Sequence, residues 1–122
     1  MSKTTAAHFA DFCSCVDHWQ VALGLTDYSI NIVHEKSHND YASCTPNVPG
    51  RVATINLATI WDGDKKVTHA ELDKTALHEV LHLLLAELSW LGECRFLGPD
   101  DIEPAEHAVV RRLEHLLGGM RV

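Results

Sequence analysis

The stretch Thr68-His69-Ala70-Glu71-Leu72-Asp73-Lys74-Thr75-Ala76-Leu77-His78-Glu79-Val80-Leu81-His82-Leu83-Leu84-Leu85-Ala86-Glu87-Leu88-Ser89-Trp90-Leu91-Gly92 decides how the chain is read. Thr68-His69-Ala70-Glu71 has the form of a capping box, in which the Thr68 hydroxyl accepts from the backbone N–H of Glu71 and the Glu71 carboxylate reaches back. Leucines then recur at high density until Gly92, a natural stop, so the spacing predicts a helix of about six turns buried on most sides. On a wheel of 100° per residue, Thr75, His78, His82 and Ala86 share one narrow sector, with Glu71 and Ser89 beside it. The leucines crowd the other side. One face of this helix is therefore lined by small or polar groups, as a cleft requires.

Within it, His78-Glu79-Val80-Leu81-His82 sets two imidazoles one turn apart, the spacing for two ligands of one tetrahedral zinc ion. Glu79 is placed to reach a water held by that metal rather than the metal itself, which is the position of a general base in metal-assisted hydrolysis.

A second helix is expected over about Pro104–Leu117, with Pro104 at its first position and Gly118-Gly119 ending it. Its apolar residues are Val109, Val110, Leu113, Leu116 and Leu117, and Glu106 falls in the middle of their arc. A carboxylate on a core-facing stripe must be paired, protonated or metal-bound. Glu106 is accordingly the expected third ligand, the other reading being a first-turn acid that favours the positive end of its own helix. Glu103 and His107 are less well aimed.

Together these residues resemble the zincin metallopeptidases, and specifically the gluzincin arrangement, of the short type found in bacterial and phage genomes. The likeness covers residues 51–117, and it is more specific at the His-Glu-x-x-His motif than at the third ligand. It implies that His78, His82 and Glu106 bind one zinc ion and that Glu79 is the catalytic general base in hydrolysis of a peptide bond. Larger gluzincins add oxyanion-stabilising His or Tyr side chains from a later domain, and only some 40 residues follow His82 here. The alternative is a catalytically weak or inactive zinc-containing module that captures a partner peptide along an edge strand.

The rest of the chain suits an α+β fold of minimal zincin-like form: an N-terminal helix, a small three-stranded sheet, the metal-binding helix and a C-terminal helix carrying the third ligand. Strands are expected at 28–35, 41–45 and 52–59, with Pro46–Gly50 as a hairpin connection. In zincins the strand just before the metal-binding helix is an edge able to pair with an extended peptide, a place that Arg51–Thr59 would take; an interior strand is the other reading. The first 25 residues read as a helix with Phe9, Phe12, Cys13, Val16, Trp19 and Leu23 on one face, Asp11, Ser14, Asp17 and Gln20 on the other, and Gly24 at its end. Cys13-Ser14-Cys15 with His18 lacks the downstream pair of a zinc finger, so all four cysteines read as small buried hydrophobes.

At 122 residues with 46% hydrophobic content, the sequence fits one domain over residues 1–122 with a core that needs no disulfide. No stretch resembles a signal peptide or membrane span, which leads to the expectation of a cytoplasmic protein of a bacterial or phage-infected cell, its thiols reduced. A net charge of −7 argues against nucleic acid or an anionic membrane as partner and leaves a peptide or protein substrate.

Overall fold

A computed structural model describes residues 1–119. Three helices and a small mixed three-stranded sheet make an α+β fold, with a two-stranded ribbon beside them. In chain order the elements are β1 (Ser2–Lys3), α1 (Ala6–Ala22), β2 (Ser29–Glu35), β3 (Ala42–Asn47), β4 (Val52–Ala58), β5 (Ile60–Trp61), α2 (His69–Glu93) and α3 (Pro99–Gly119). Among the described residues, no helix is long and apolar enough to cross a membrane.

The sheet has the order β2-β4-β3. β4 pairs in parallel with β2, Ser29 opposite Val52, and antiparallel with β3, Ala42 opposite Leu57. Along β4, Ala53, Ile55 and Leu57 are buried while Val52 and Thr54 are exposed, the two-residue alternation of a sheet covered on one face. α1 and α2 provide that cover, and their Phe12, Val16, Leu72, Val80 and Leu83 close the core with Ile55, Leu57 and Trp61. Each fully buried Val or Leu of this set contributes roughly 1.5–3 kcal/mol. The central position of β4 corrects the expectation that Arg51–Thr59 forms the edge. Parallel pairing with β2 occupies one side of it, so the free edge passes to β3.

Pro46 is compatible with that edge because a proline has no N–H for an interior ladder. The hairpin that joins β3 to β4 turns at 48–51, where the Asn47 side chain accepts from Gly50 N–H at 3.0 Å and Arg51 adopts φ +54°. At the other end, the Tyr41 carbonyl accepts from Ala58 N–H at 2.9 Å and from the Trp61 indole at 3.2 Å, and its hydroxyl donates to the Asp62 carbonyl. Both ends of β3 are thus held.

α1 is capped by Thr5 and His8, whose side chains satisfy each other's backbone N–H, and it closes with Gly24 at φ +68°. Cys15, rather than Cys13, turns into the core, and Asp11 faces α2 instead of open solvent. α2 begins at Thr68 as expected, but only half of its capping box forms: the hydroxyl accepts from Glu71 N–H while the Glu71 carboxylate pairs with Lys65 at 3.2 Å. Burial on most sides is not realised either, since Leu81, Leu85 and Trp90 stay exposed.

α3 starts five residues earlier than expected. Pro99 takes the first position, and the Asp101 carboxylate accepts from Gly98 N–H at 2.9 Å, leaving Pro104 inside the helix.

Candidate metal centre

α2 projects His78 and His82 onto one face, and their Nε2 atoms approach to 3.2 Å with the rings edge-on at 77°. Two nitrogens bound to one tetrahedral zinc at about 2.0–2.1 Å stand about 3.3 Å apart, so the imidazole pair already has the spacing that such an ion imposes. Both rings are exposed to the groove they border.

Glu79 lies deeper on the same groove, toward β3, and is 6% exposed. Thr4 and Glu79 are the buried polar residues of the described chain. Thr4 is satisfied by the Ala58 carbonyl at 2.7 Å and by His34 at 2.6 Å. Among the described residues Glu79 has no side-chain hydrogen bond or ion pair, and its carboxylate lines the groove instead of being sealed from solvent. Burial pushes its carboxyl above the ordinary carboxylate range; the neighbouring imidazoles of His78 and His82 oppose the shift, and the charge of Asp40 adds to it. A carboxylate kept in such a place is expensive unless it has work to do.

The groove has a volume of about 980 Å³ and lies between the imidazole face of α2 and the whole length of β3. Ala86, Ser89, Trp90 and Glu93 extend the helical wall beyond the histidines; Asp40, Cys44 and Pro46 belong to the opposite one. The small and polar sector read from the helical wheel therefore does line a cleft, and Thr75 borders an adjoining pocket with His78 and Glu79.

Backbone polarity along β3 follows from the Ala58-to-Tyr41 bond. Residues alternate between facing the partner strand and facing away, so Tyr41, Ser43, Thr45 and Asn47 bond to β4. Ala42 and Cys44 direct N–H and C=O, and Pro46 its C=O, to the open edge. Burial, with the Glu79 charge second, raises the Cys44 thiol to about 11.

Glu106 does not join this centre. It is exposed on α3 and does not border the groove, and no third ligand atom stands within 4.8 Å of the two imidazoles among the described residues. The buried stripe of α3 runs through Ala105 and Val109 to Leu113 and Leu116, while Val110 and Leu117 are exposed. Including Ala105 shifts the apolar arc and leaves Glu106, 100° further round, on the solvent side. Glu103 and His107 pair with each other at 3.9 Å on the same exposed surface. Asp40 and Cys44, which do border the groove, were not readable from spacing; the prolines at 46 and 49 were the available sign that an edge strand lies there.

Comparison with protein-family models, with curated proteins and with solved structures finds no match for this chain.

Proposed function

We propose that the groove binds an extended peptide beside a zinc ion held by His78 and His82, and that the protein is a zinc-dependent peptidase of minimal zincin type with Glu79 as general base. The observation that carries this reading is the largely buried Glu79 side chain, which lines the same groove as two imidazole nitrogens 3.2 Å apart. The donors suit zinc, which accepts neutral imidazole and leaves room for water. Bound there, zinc supplies a Lewis acid and a water acidified to a pKa of about 7.

The chain's own residues have separate tasks. The open edge of β3, six residues or about 20 Å long, offers the N–H and C=O groups of Ala42 and Cys44 and the Pro46 carbonyl to a peptide backbone. A peptide paired there runs past Glu79, whose raised proton affinity suits a group that takes a proton and returns it to a leaving amine. His78 and His82 keep their Nε2 atoms turned to one point because both project from the same face of one rigid helix. Glu106 remains the third ligand nominated by the sequence, and since no residue of α3 borders the groove, α3 must move for it to reach the pair.

One observation favours a second reading. With Glu106 exposed, the pair has two protein ligands, which suits a peptide-capturing module of weak or no catalytic power. The test is Glu79→Gln with zinc content and peptide turnover measured together. On the first reading zinc stays and cleavage is abolished; on the second both proteins bind peptide and neither cleaves.

A further inference from the structure

Asp11 and Cys15 lie one turn apart on α1, and His69 and Asp73 lie one turn apart on α2, where the two helices meet. His69 Nδ1 is 2.9 Å from each Asp11 carboxylate oxygen, and Cys15 Sγ is 3.7 Å from Oδ1 of the same carboxylate. The three ligand atoms stand within 4.8 Å of one another. In a tetrahedral zinc site a thiolate sulfur and a carboxylate oxygen are about 3.5 Å apart, and an imidazole nitrogen and a carboxylate oxygen about 3.3 Å. Shifts of a few tenths of an ångström bring these two pairs to those values, and the sulfur and the imidazole nitrogen stand within 4.8 Å of each other.

The surroundings fit an ion as well. Cys15 is 5% exposed and forms the floor, Asp11 is half-buried, and His69 is open to solvent, so the cluster has a closed base and an entrance. Asp73 adjoins the thiol and is itself held by the Trp19 indole N–H at 2.9 Å. That places two carboxylates, one imidazole and one sulfur in a single interhelical notch, a donor set of mixed hardness that zinc accepts and magnesium or calcium does not.

We propose that Asp11, Cys15 and His69 bind a second divalent ion of the zinc class, which clamps α1 to the first turn of the helix that carries the imidazole pair. Binding forms sulfur–metal and nitrogen–metal bonds, releases the thiol proton to solvent and sends the Nδ1 proton now shared with Asp11 to Nε2 or to solvent, while a water or Asp73 completes the tetrahedron. This inference is independent of the hydrolytic reading, because it uses none of the groove residues.

Cobalt(II) separates the two centres, since this one contains sulfur and the imidazole pair does not. Full-length protein stripped by chelator is titrated with cobalt while the near-ultraviolet thiolate-to-cobalt charge-transfer absorption is followed. The expected result is one sulfur-bound cobalt per chain, unchanged in a His78→Ala/His82→Ala variant and lost in Cys15→Ala. His69→Ala and Asp11→Asn, both at more exposed positions, keep the core intact and weaken binding by roughly tenfold or more. Zinc raises the thermal midpoint of the His78→Ala/His82→Ala variant, and the rise is lost when His69→Ala is added to that variant. Absence of the absorption at saturating cobalt overturns the proposal, as does its survival in Cys15→Ala, whether Cys13, Cys44 or Cys94 then supplies the sulfur.

Discussion

Replacing Glu79 by Gln keeps the shape of the side chain and removes its charge, so it tests two consequences of one burial. In catalysis, a positioned general base contributes about 10²- to 10⁴-fold. Turnover should therefore fall by that factor, equivalent to about 2.7–5.4 kcal/mol in the barrier. In stability the effect has the opposite sense. Burial raises the Glu79 carboxyl, so the folded protein holds that proton more tightly than the unfolded chain. The resulting stabilisation is complete below the ordinary carboxylate range and is lost as pH rises through the raised value. Above that raised value the wild-type protein carries a charge on a buried side chain that the Gln variant lacks, and there the variant should be the more stable by on the order of 1 kcal/mol. For 122 residues, at about 2.1 cal/mol/K of unfolding entropy per residue, each kcal/mol moves the thermal midpoint by about 4 °C. The assays are cleavage of a mixed peptide pool followed by mass spectrometry, with zinc content measured alongside, and thermal unfolding in chelator from pH 4 to 8. Cleavage at the wild-type rate would remove Glu79 from the mechanism. A stability difference that widens toward acid pH would refute the account of its burial.

His82→Ala should weaken zinc binding at the groove by about 10²- to 10³-fold, since structural zinc binding of about 10–16 kcal/mol shared among four ligands gives about 2.5–4 kcal/mol for each; competition against a chromogenic chelator reads this directly, and it is best done in a Cys15→Ala background. Glu106 is exposed and outside the groove, so Glu106→Ala should change groove affinity by no more than about twofold to threefold, the range of an ordinary surface substitution; a loss beyond tenfold in the same competition would restore it as a ligand and require α3 to move. Cys44→Pro deletes one N–H from the open edge without touching the bonds to β4, and peptide affinity by fluorescence anisotropy should drop by about twofold to tenfold, the worth of one hydrogen bond. With the Cys15 thiol raised to about 12 and that of Cys44 to about 11, mainly by burial, both should resist alkylation at pH 8; rapid labelling of either, located by peptide mapping, would contradict their packing.

Much of the site was legible because it is local. Two imidazoles at positions i and i+4 of a well-capped helix share a face whatever that helix packs against, so His78, His82 and the Ala86–Ser89 wall follow from a period of 3.6 residues. The three strands follow equally from alternation, but Pro46 and Asn47, expected in the hairpin connection, continue β3 to 47 because an edge tolerates a proline, and the turn moves to 48–51. What the linear chain left open depends on partners distant in sequence. Alternation does not say which strand lies in the middle; parallel pairing between β2 and β4 makes β3 the edge and so decides which backbone faces the groove. Nor does a wheel drawn for one helix say where its neighbour presses: α3 closes on small Ala105 instead of Glu106, and α1 turns Cys15 and Asp11 toward His69. Periodicity belongs to a single element and is written in its own residues, whereas register, edge and facing side are set by the competition among all elements for the same buried volume.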